Sequence, residues 1–241
     1  MPTRCRCLTT CALLLGALSG DPLRAETSRQ TASDSYTVDI VPSDFVPHVT
    51  NKFFSLKPGT RYLFKDKTGN ERIEVAVTDE KKDIMGVTAT VVRVKEWKRN
   101  ALVEETRDWY AQDKTGTVWY FGEAVDNYKD GKLDNHKGSW EAGVDGAMPG
   151  IIMPGEPEVG QTYRQEYYKE RAEDMGTIVA LDAKVSVPFG KFENCLKVRD
   201  WSRIEAGNEH KYYCPATGFL TMEESIEGGD KIELVEIKRS E

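Results

Sequence analysis

Turn signals recur along this chain between short alternating segments, and they constrain its fold more than any other feature. The tetrapeptide Asp-Lys-Thr-Gly occurs at 66–69 and again at 113–116, each time between two segments in which apolar and polar residues alternate. A type I turn followed by a glycine in the left-handed region is the usual form of such a longer hairpin connection. Each copy therefore predicts a β-hairpin.

Three more turns continue the pattern towards the C terminus. They lie at 188–190, where Pro188 fixes φ at the second turn position, and at 206–208 and 228–230. About eleven strands joined by short connections result, and helical periodicity over three turns is absent. We therefore predict an all-β fold, an antiparallel β-barrel or strongly curled sheet, because closure removes exposed strand edges.

Residues 122–160 interrupt this rhythm. The segment is rich in glycine and contains Pro149, Pro154 and Pro157, and long segments without regular structure are uncommon in compact domains and often functional. We expect a single antiparallel domain over residues 51–241 with one long Gly/Pro-rich loop. A polar, extended arm over residues 26–50 precedes it.

The first 25 residues have the pattern of a secretory signal peptide. Arg4 and Arg6 precede a short apolar stretch over residues 8–18, which is too short to be a stable membrane anchor. Cleavage is expected after Ala25, with a cut near Gly20 as the alternative. Lipid attachment at Cys11 is less favoured, because the residues before it are not small. The mature chain is then exported, periplasmic or extracellular, with no transmembrane segment.

Cysteines and charge narrow the function classes. Removal of residues 1–25 leaves only Cys195 and Cys214, and in an oxidising compartment we expect them to form a disulfide. The alternative is two separate buried thiols.

The full chain has 33 basic and 40 acidic residues, a net charge of −7, which argues against a nucleic-acid partner because phosphate binding needs a basic face.

Several motifs resemble those of an uncharacterised group of secreted bacterial β-rich proteins. The stretches that carry the resemblance are DWYAQD (108–113), VWYFGE (118–123), GSWEAGVDGA (138–147), PGIIMP (149–154), YRQEYY (163–168) and AEDM (172–175). The turns at 187–190 and 212–218 also look like those of periplasmic barrel-type lipoproteins of unknown function. The resemblance implies an exported β protein and carries over no catalytic residue.

Acidic residues in two loops predict a metal site. Glu141 and Asp145 lie in the long loop, and Glu173 and Asp174 lie in a second loop over residues 170–175. Clustered carboxylates near glycine carbonyls suit Ca²⁺, which takes about six to eight oxygen ligands. Calcium is therefore the expected cation. The alternative is a solvated acidic surface, because an acidic protein carries carboxylates throughout.

Aromatic strand residues predict a pocket for a small organic or sugar-like ligand. If the sheet closes, one face of each strand lines an interior, where stacked rings and a few polar groups would bind such a molecule. The predicted ligand-binding residues are Trp109, Tyr110, Trp119, Trp140, Arg164, Glu166, Tyr168 and His210. Ordinary cross-strand packing is the alternative for the aromatic residues. A copper site, formed by His210 and nearby methionines, is a weaker alternative.

We therefore expect a binding protein whose site lies where the 138–154 loop meets strand 162–168 and the 170–175 loop. One alternative is a secreted hydrolase that pairs Glu104 or Glu105 with Asp108 or Glu166. The other is an envelope scaffold whose partner is a cell-envelope component rather than a small molecule. The sequence contains neither a Gly-x-Ser-x-Gly nucleophile motif nor a phosphate-binding loop.

The expected disulfide can be checked directly on the secreted protein. Mass spectrometry of a non-reduced digest should yield one peptide pair linked through Cys195 and Cys214, because both thiols meet an oxidising environment. Free thiols at both positions would contradict the prediction.

Overall fold

The computed structural model describes residues 36–239, so the predicted leader and the first part of the arm lie outside the described residues. A single 3-10 turn, Pro42–Asp44, precedes the strands. Three short strands then lead into long ones: β1 Phe45–Val46, β2 Thr50–Asn51, β3 Phe54–Ser55, β4 Thr60–Asp66, β5 Glu71–Ile84, β6 Val87–Lys98, β7 Ala101–Asp113 and β8 Val118–Lys129. The remaining strands are β9 Lys132–Asn135, β10 Trp140–Glu141, β11 Met148–Met153, β12 Thr162–Arg164, β13 Glu166–Tyr167, β14 Asp174–Val187, β15 Gly190–Ser202, β16 Asn208–Cys214, β17 Phe219–Ser225 and β18 Lys231–Arg239.

One antiparallel sheet contains nearly all of these strands and almost closes on itself. Its order is β12-β14-β15-β16-β17-β18-β4-β5-β6-β7-β8-β11-β13. The two outermost strands are consecutive in the chain, because only Gln165 separates β12 from β13. Tyr163 pairs with Gly176 of β14, whereas Glu166 pairs with Pro149 of β11. One chain segment thus joins both ends of the sheet, and the predicted all-β, barrel-like, single-domain fold is confirmed.

The two Asp-Lys-Thr-Gly turns form the predicted hairpins. Gly69 has φ 73° and Gly116 has φ 88°, the left-handed conformation that glycine adopts without a steric penalty. In the second turn, Asp113 Oδ1 accepts hydrogen bonds from the backbone N–H groups of Thr115, at 2.9 Å, and Thr117, at 3.1 Å. The aspartate therefore fixes the turn that joins β7 to β8.

The segment over residues 122–160 contains more regular structure than its composition indicates. Strand β8 continues to Lys129, and β9, β10 and β11 all pair with it. Gly122 makes the approach of β10 possible, since it has φ 123° and a Cβ there would overlap the carbonyl oxygen of Trp140. The glycines and prolines therefore serve turns and close approaches between short strands.

The β2–β3 hairpin covers one end of the barrel. The ring of Phe54 lies 5.1 Å from that of Tyr110 on β7 and 4.9 Å from that of Phe219 on β17, measured between centroids. These two strands are far apart in the sheet order, so Phe54 reaches into the interior between them. The hairpin thereby extends the apolar core beyond the sheet.

Cys195 and Cys214 form a disulfide, as predicted. They lie on the neighbouring strands β15 and β16, one residue beyond the paired Leu196 and Tyr213, with their Cα atoms 4.2 Å apart. Both are fully buried.

Residues 36–239 include no helix with the length and apolar character required to span a bilayer.

Closure of the barrel can be tested at Gly150, which lies on β11 against the segment joining β12 to β13. A Cβ at this position would overlap the carbonyl oxygen of Gln165, which belongs to the backbone and cannot move aside cheaply. Gly150→Ala should lower the free energy of unfolding by at least about 2 kcal/mol.

Gly228→Ala is the matched control, because a Cβ there meets its nearest neighbour at 3.4 Å. That variant should remain within about 0.5 kcal/mol of the parent in urea denaturation. Equal stability of the two variants would contradict the described closure.

Candidate functional site

The strongest candidate site is an open cleft on the outer face of strands β5 to β8, hereafter the outer cleft. It has a volume of about 570 Å³. The side of the cleft away from the long strands is formed by β10 and the residue before it, Ser139. The residues that line it are Glu80, Lys81, Lys82, Val91, Arg107, Trp109, Glu123, Ala124, Ser139, Trp140 and Glu141.

Strand alternation explains which β7 residues reach the outer cleft. Successive side chains of a strand point to opposite faces, and Arg107 and Trp109 both line the cleft. Asp108, between them, is fully buried and accepts a hydrogen bond from the Tyr120 hydroxyl at 3.2 Å. The same strand therefore presents a charged and aromatic outer face and an acidic inner face.

An ion pair joins the two sides of the outer cleft. Lys82 Nζ on β5 lies 2.7 Å from Glu141 Oε2 on β10. The same ammonium lies 3.8 Å from the centroid of the Trp109 ring, within cation–π range. Lys82 thus covers the indole and at the same time holds β10 against the barrel.

Three further charged residues around the outer cleft, Arg107, Lys81 and Glu80, also have partners. Arg107 Nη2 lies 3.4 Å from Asp126 Oδ2, and Lys81 Nζ donates to Thr90 Oγ1 at 2.9 Å. Glu80 pairs with Arg93. Donor and acceptor groups therefore alternate around the cleft, which suits a ligand that both donates and accepts hydrogen bonds.

Directly behind the outer cleft, inside the barrel, lies a group of carboxyl side chains that we call the acid cluster: Asp108, Glu123, Glu166 and Asp174. Asp108 and Glu123 face each other across the β7–β8 pair. Burial, with the neighbouring Glu104 carboxylate, raises the pKa of Asp108 to about 7, although the hydrogen bond from Tyr120 opposes the shift. Charge on this carboxyl group is therefore costly at neutral pH.

Glu123 is the most isolated member of the acid cluster. Its side chain is 1 % exposed, and within residues 36–239 neither of its carboxyl oxygens has a well-aligned hydrogen-bond partner. Burial raises its pKa well above the ordinary value, and the charges of Asp108, Glu104 and Asp174 add to the shift, which the Tyr120 hydroxyl partly offsets. Burial and the neighbouring carboxylates therefore favour the neutral form of Glu123.

Glu166 and Asp174 form a carboxyl pair where the sheet closes. Burial raises the pKa of Glu166 well above its ordinary value, and both the charge of Asp174 and a hydrogen bond to it add to the shift. Trp140 opposes the shift in the pKa of Glu166. Burial also raises the pKa of Asp174 to about 7, against the effects of Ser202 and Lys211. The two carboxyl groups therefore resist being ionised at the same time.

A buried ion pair adjoins this carboxyl pair. Lys211 Nζ lies 2.8 Å from Asp200 Oδ2 and 3.2 Å from Glu209 Oε1, and its side chain is 2 % exposed. The pKa of Lys211 is raised because its acidic neighbours outweigh its burial. Gln165, the residue between β12 and β13, donates to Asp200 Oδ1 at 3.2 Å. The closing segment of the barrel is thus anchored to this pair.

The structure brings some of the sequence-predicted residues together. Trp109, Trp140 and Glu141 all line the outer cleft, and Trp140 also lies beside Glu166 inside the barrel. The 138–154 segment meets strand 162–168 as expected, through the pairing of β11 with β13.

Other predicted ligand-binding residues have different roles. Tyr110 stacks on Tyr120 in the core, with centroids 4.8 Å apart, and Trp119 Nε1 donates to Asp113 Oδ2 at 2.8 Å. The Tyr110 contact is the cross-strand packing that the sequence left as the alternative, whereas the Trp119 contact stabilises the turn between β7 and β8.

Three more of the predicted residues lie outside the outer cleft. Arg164 Nη1 lies 3.5 Å from Glu173 Oε2 near the closure, and the ring of Tyr168 is covered by the guanidinium of Arg171, at 5.0 Å. His210 on β16 lies edge-on to Tyr212, with centroids 6.4 Å apart. They do not converge on one pocket.

The four residues predicted to bind calcium have separate surroundings. Glu141 pairs with Lys82, Glu173 with Arg164, and Asp174 with Glu166, while Asp145 is exposed in a turn with φ 50°. Residues 36–239 contain no group of three or more His, Cys, Asp or Glu side chains arranged to hold a metal ion. Calcium binding at these residues stays a prediction.

The sequence reasoning missed Lys82, Arg107 and Glu123 as site residues. For Glu123 a signal was present, because Gly122 in the middle of an aromatic strand indicates a bulge or a close approach of another backbone. Lys82 and Arg107 belong to charged stretches of β5 and β7, and nothing in their local pattern separates them from other surface cations.

No protein-family model, curated protein or solved structure matches this chain.

The acid cluster predicts an unusual dependence of stability on pH. Asp108 and Asp174, with pKa values of about 7 in the fold, bind protons that the unfolded chain releases near its ordinary pKa of about 4. The free energy of unfolding should therefore fall by at least about 2 kcal/mol from about pH 5 to about pH 8. His210 is half-exposed, and its lowered pKa makes stability rise with pH instead. That opposing effect is confined to the lower part of this range, where the unfolded histidine still binds a proton.

Urea denaturation across this range measures the effect, and Asp108→Asn should flatten the slope because it removes one titrating group. Stability that rises steadily from about pH 5 to about pH 8 would contradict the described cluster.

Proposed function

We propose that the protein is an exported binding protein that holds a small, neutral, sugar-like ligand in the outer cleft. The leader pattern over residues 1–25 and the Cys195–Cys214 disulfide support export, since such bonds persist in oxidising compartments. The observation that carries the binding proposal is the outer cleft itself, in which the Trp109 indole lies among ion-paired side chains.

The size and chemistry of the outer cleft favour this class of ligand. Its volume of about 570 Å³ lies within the range of about 300–1,000 Å³ that is typical of small-molecule sites. Sugar hydroxyls both donate and accept, and they can bridge the Lys82–Glu141 and Arg107–Asp126 pairs without bringing in a net charge. The apolar face of the sugar ring would pack on the Trp109 indole.

Binding on the indole requires Lys82 to leave the ring. Its ammonium now lies over Trp109, but its side chain is only about two-thirds buried and can swing towards solvent. A ligand would then replace the cation–π contact, while Glu141 would remain available to accept a hydrogen bond. Tryptophan fluorescence should report this exchange.

A hydrolase is the second candidate, and Glu123 is the observation that favours it. A neutral carboxylic acid at neutral pH is what a general acid requires, and Glu123 contributes to the lining of the outer cleft. The half-exposed Glu141 would supply the second carboxylate. The carboxylate pairs predicted from the sequence are less suitable, because neither Asp108 nor Glu166 lines the outer cleft.

Isothermal titration with a panel of monosaccharides and disaccharides tests the binding proposal, with glycerol as the control for non-specific effects. At least one sugar should bind saturably and change the tryptophan fluorescence. Arg107→Gln and Glu141→Gln should each weaken that binding about tenfold, because each removes a charged hydrogen-bonding group. Lys184→Gln is the matched control, since Lys184 pairs with Glu193 elsewhere on the barrel, and should leave binding unchanged.

The absence of saturable binding, or equal weakening by all three variants, would contradict the proposal. Turnover of a glycoside panel that is lost in Glu123→Gln, with the fold intact by circular dichroism, would instead establish the hydrolase. Failure of both assays would favour the envelope-scaffold alternative.

A further inference from the structure

A second pocket, hereafter the end pocket, lies where the β2–β3 hairpin meets the barrel. It has a volume of about 310 Å³ and shares no lining residue with the outer cleft. Its lining residues are Thr50, Asn51, Lys52, Ser55, Lys57, Thr60, Tyr62, Pro215, Ala216, Thr217, Gly218 and Arg239.

The charge of the end pocket is opposite to that of the protein. Lys52, Lys57 and Arg239 line it, and none of its lining residues is acidic, although the chain carries a net charge of −7. Three cations gathered in one concavity repel one another unless an anion neutralises them. Their placement therefore favours a negatively charged ligand.

The three cations are available to such a ligand. Within residues 36–239, none of them makes an ion pair with a carboxylate, whereas many other cations of the barrel do. Lys52 makes a cation–π contact, with its Nζ 4.9 Å from the centroid of Phe53. The guanidinium of Arg239 lies close enough to Tyr62 to lower the pKa of its phenol, against the larger effect of burial.

Tyr62 contributes to the wall of the end pocket. The residue as a whole is 3 % exposed. Its hydroxyl group can donate a hydrogen bond to a ligand oxygen. Thr50 and Ser55 add hydroxyl groups from the hairpin side.

The walls of the end pocket are held in place by backbone hydrogen bonds. Ser55 N donates to the carbonyl of Gly218 at 2.7 Å, and Leu56 N donates to that of Val49 at 3.0 Å. Arg239 is placed by its pairing with Thr60 across β18 and β4. The backbone that carries the lining residues is thus fixed before a ligand binds, which reduces the entropy cost of binding.

We propose that the end pocket binds a tetrahedral oxyanion, a phosphate or sulfate group. Three cations with surrounding hydroxyl donors suit a doubly charged group with four oxygens better than a single carboxylate, which has two. The group is either the free ion or the headgroup of an anionic phospholipid, which has the same chemistry.

The test is isothermal titration of the folded protein with inorganic phosphate and with sulfate, at constant ionic strength set by chloride. We expect saturable binding with one site per chain. Arg239→Gln and Lys57→Gln should each weaken binding at least about tenfold. Lys238→Gln is the matched control, because Lys238 is adjacent in sequence, pairs with Glu236 at 3.3 Å and does not line the pocket, so it should bind as the parent does.

A second arm identifies the source of the anion. Co-sedimentation with phosphatidic acid vesicles, compared with phosphatidylcholine vesicles, should show binding that inorganic phosphate displaces if the headgroup is recognised. Phosphate binding without vesicle binding assigns the pocket to the free ion.

Binding of phosphate and sulfate no stronger than that of chloride would overturn the proposal. Equal weakening by Arg239→Gln and Lys238→Gln would also overturn it, because the effect would then be one of overall charge. Unfolding midpoints in urea should match for all variants, and Lys57→Gln decides the matter if Arg239→Gln is unstable. The outer-cleft proposal is tested separately, by sugar titration of Arg107→Gln and Glu141→Gln, so either proposal can fail without the other.

Discussion

The removal of carboxyl groups from water is the constraint on which the rest of this structure depends. Closure of the sheet through the segment around Gln165 places Asp108, Glu123 and Glu166 in the buried interior, where ionised carboxylates are unfavourable. Burial raises the pKa of Asp108 to about 7 and raises those of Glu123 and Glu166 well above their ordinary value. Hydrogen bonding between Glu166 and Asp174, and the bond from the Tyr120 hydroxyl to Asp108, supply polar partners within the fold.

The outer cleft depends on the same strands. Strand β10 approaches β8 only because Gly122 leaves room for it. Its two residues face opposite ways, so that Trp140 lies beside Glu166 in the interior while Glu141 pairs with Lys82 outside. The two-residue strand therefore links the acid cluster to the cleft. A ligand that displaces Lys82 from Trp109 would act on a segment whose inner side contacts a buried carboxyl group.

Turn motifs, cysteines and strand alternation predicted much of the fold, but they could not predict contacts between residues far apart in the chain. The Asp-Lys-Thr-Gly turns and the disulfide follow from residue chemistry and are present. Alternation places Asp108 and Trp109 on opposite faces of β7, but it does not say which face becomes interior. The partner change at Gln165 has no sequence signature, and neither has the convergence of Glu123 with Asp174. For the same reason, the ion pairs of Glu141 with Lys82 and of Glu173 with Arg164 could not be predicted.

Infrared spectroscopy of the carboxyl groups at neutral pH tests the central claim most directly. Protonated and ionised carboxyl groups absorb at well-separated frequencies, so their populations can be read without unfolding the protein. Absorption from protonated carboxyl groups should be present in the folded protein at neutral pH, should decrease in Glu123→Gln and in Glu166→Gln, and should disappear on unfolding in urea. A folded protein whose carboxyl groups are all ionised at neutral pH would contradict a closed barrel around a buried acid cluster.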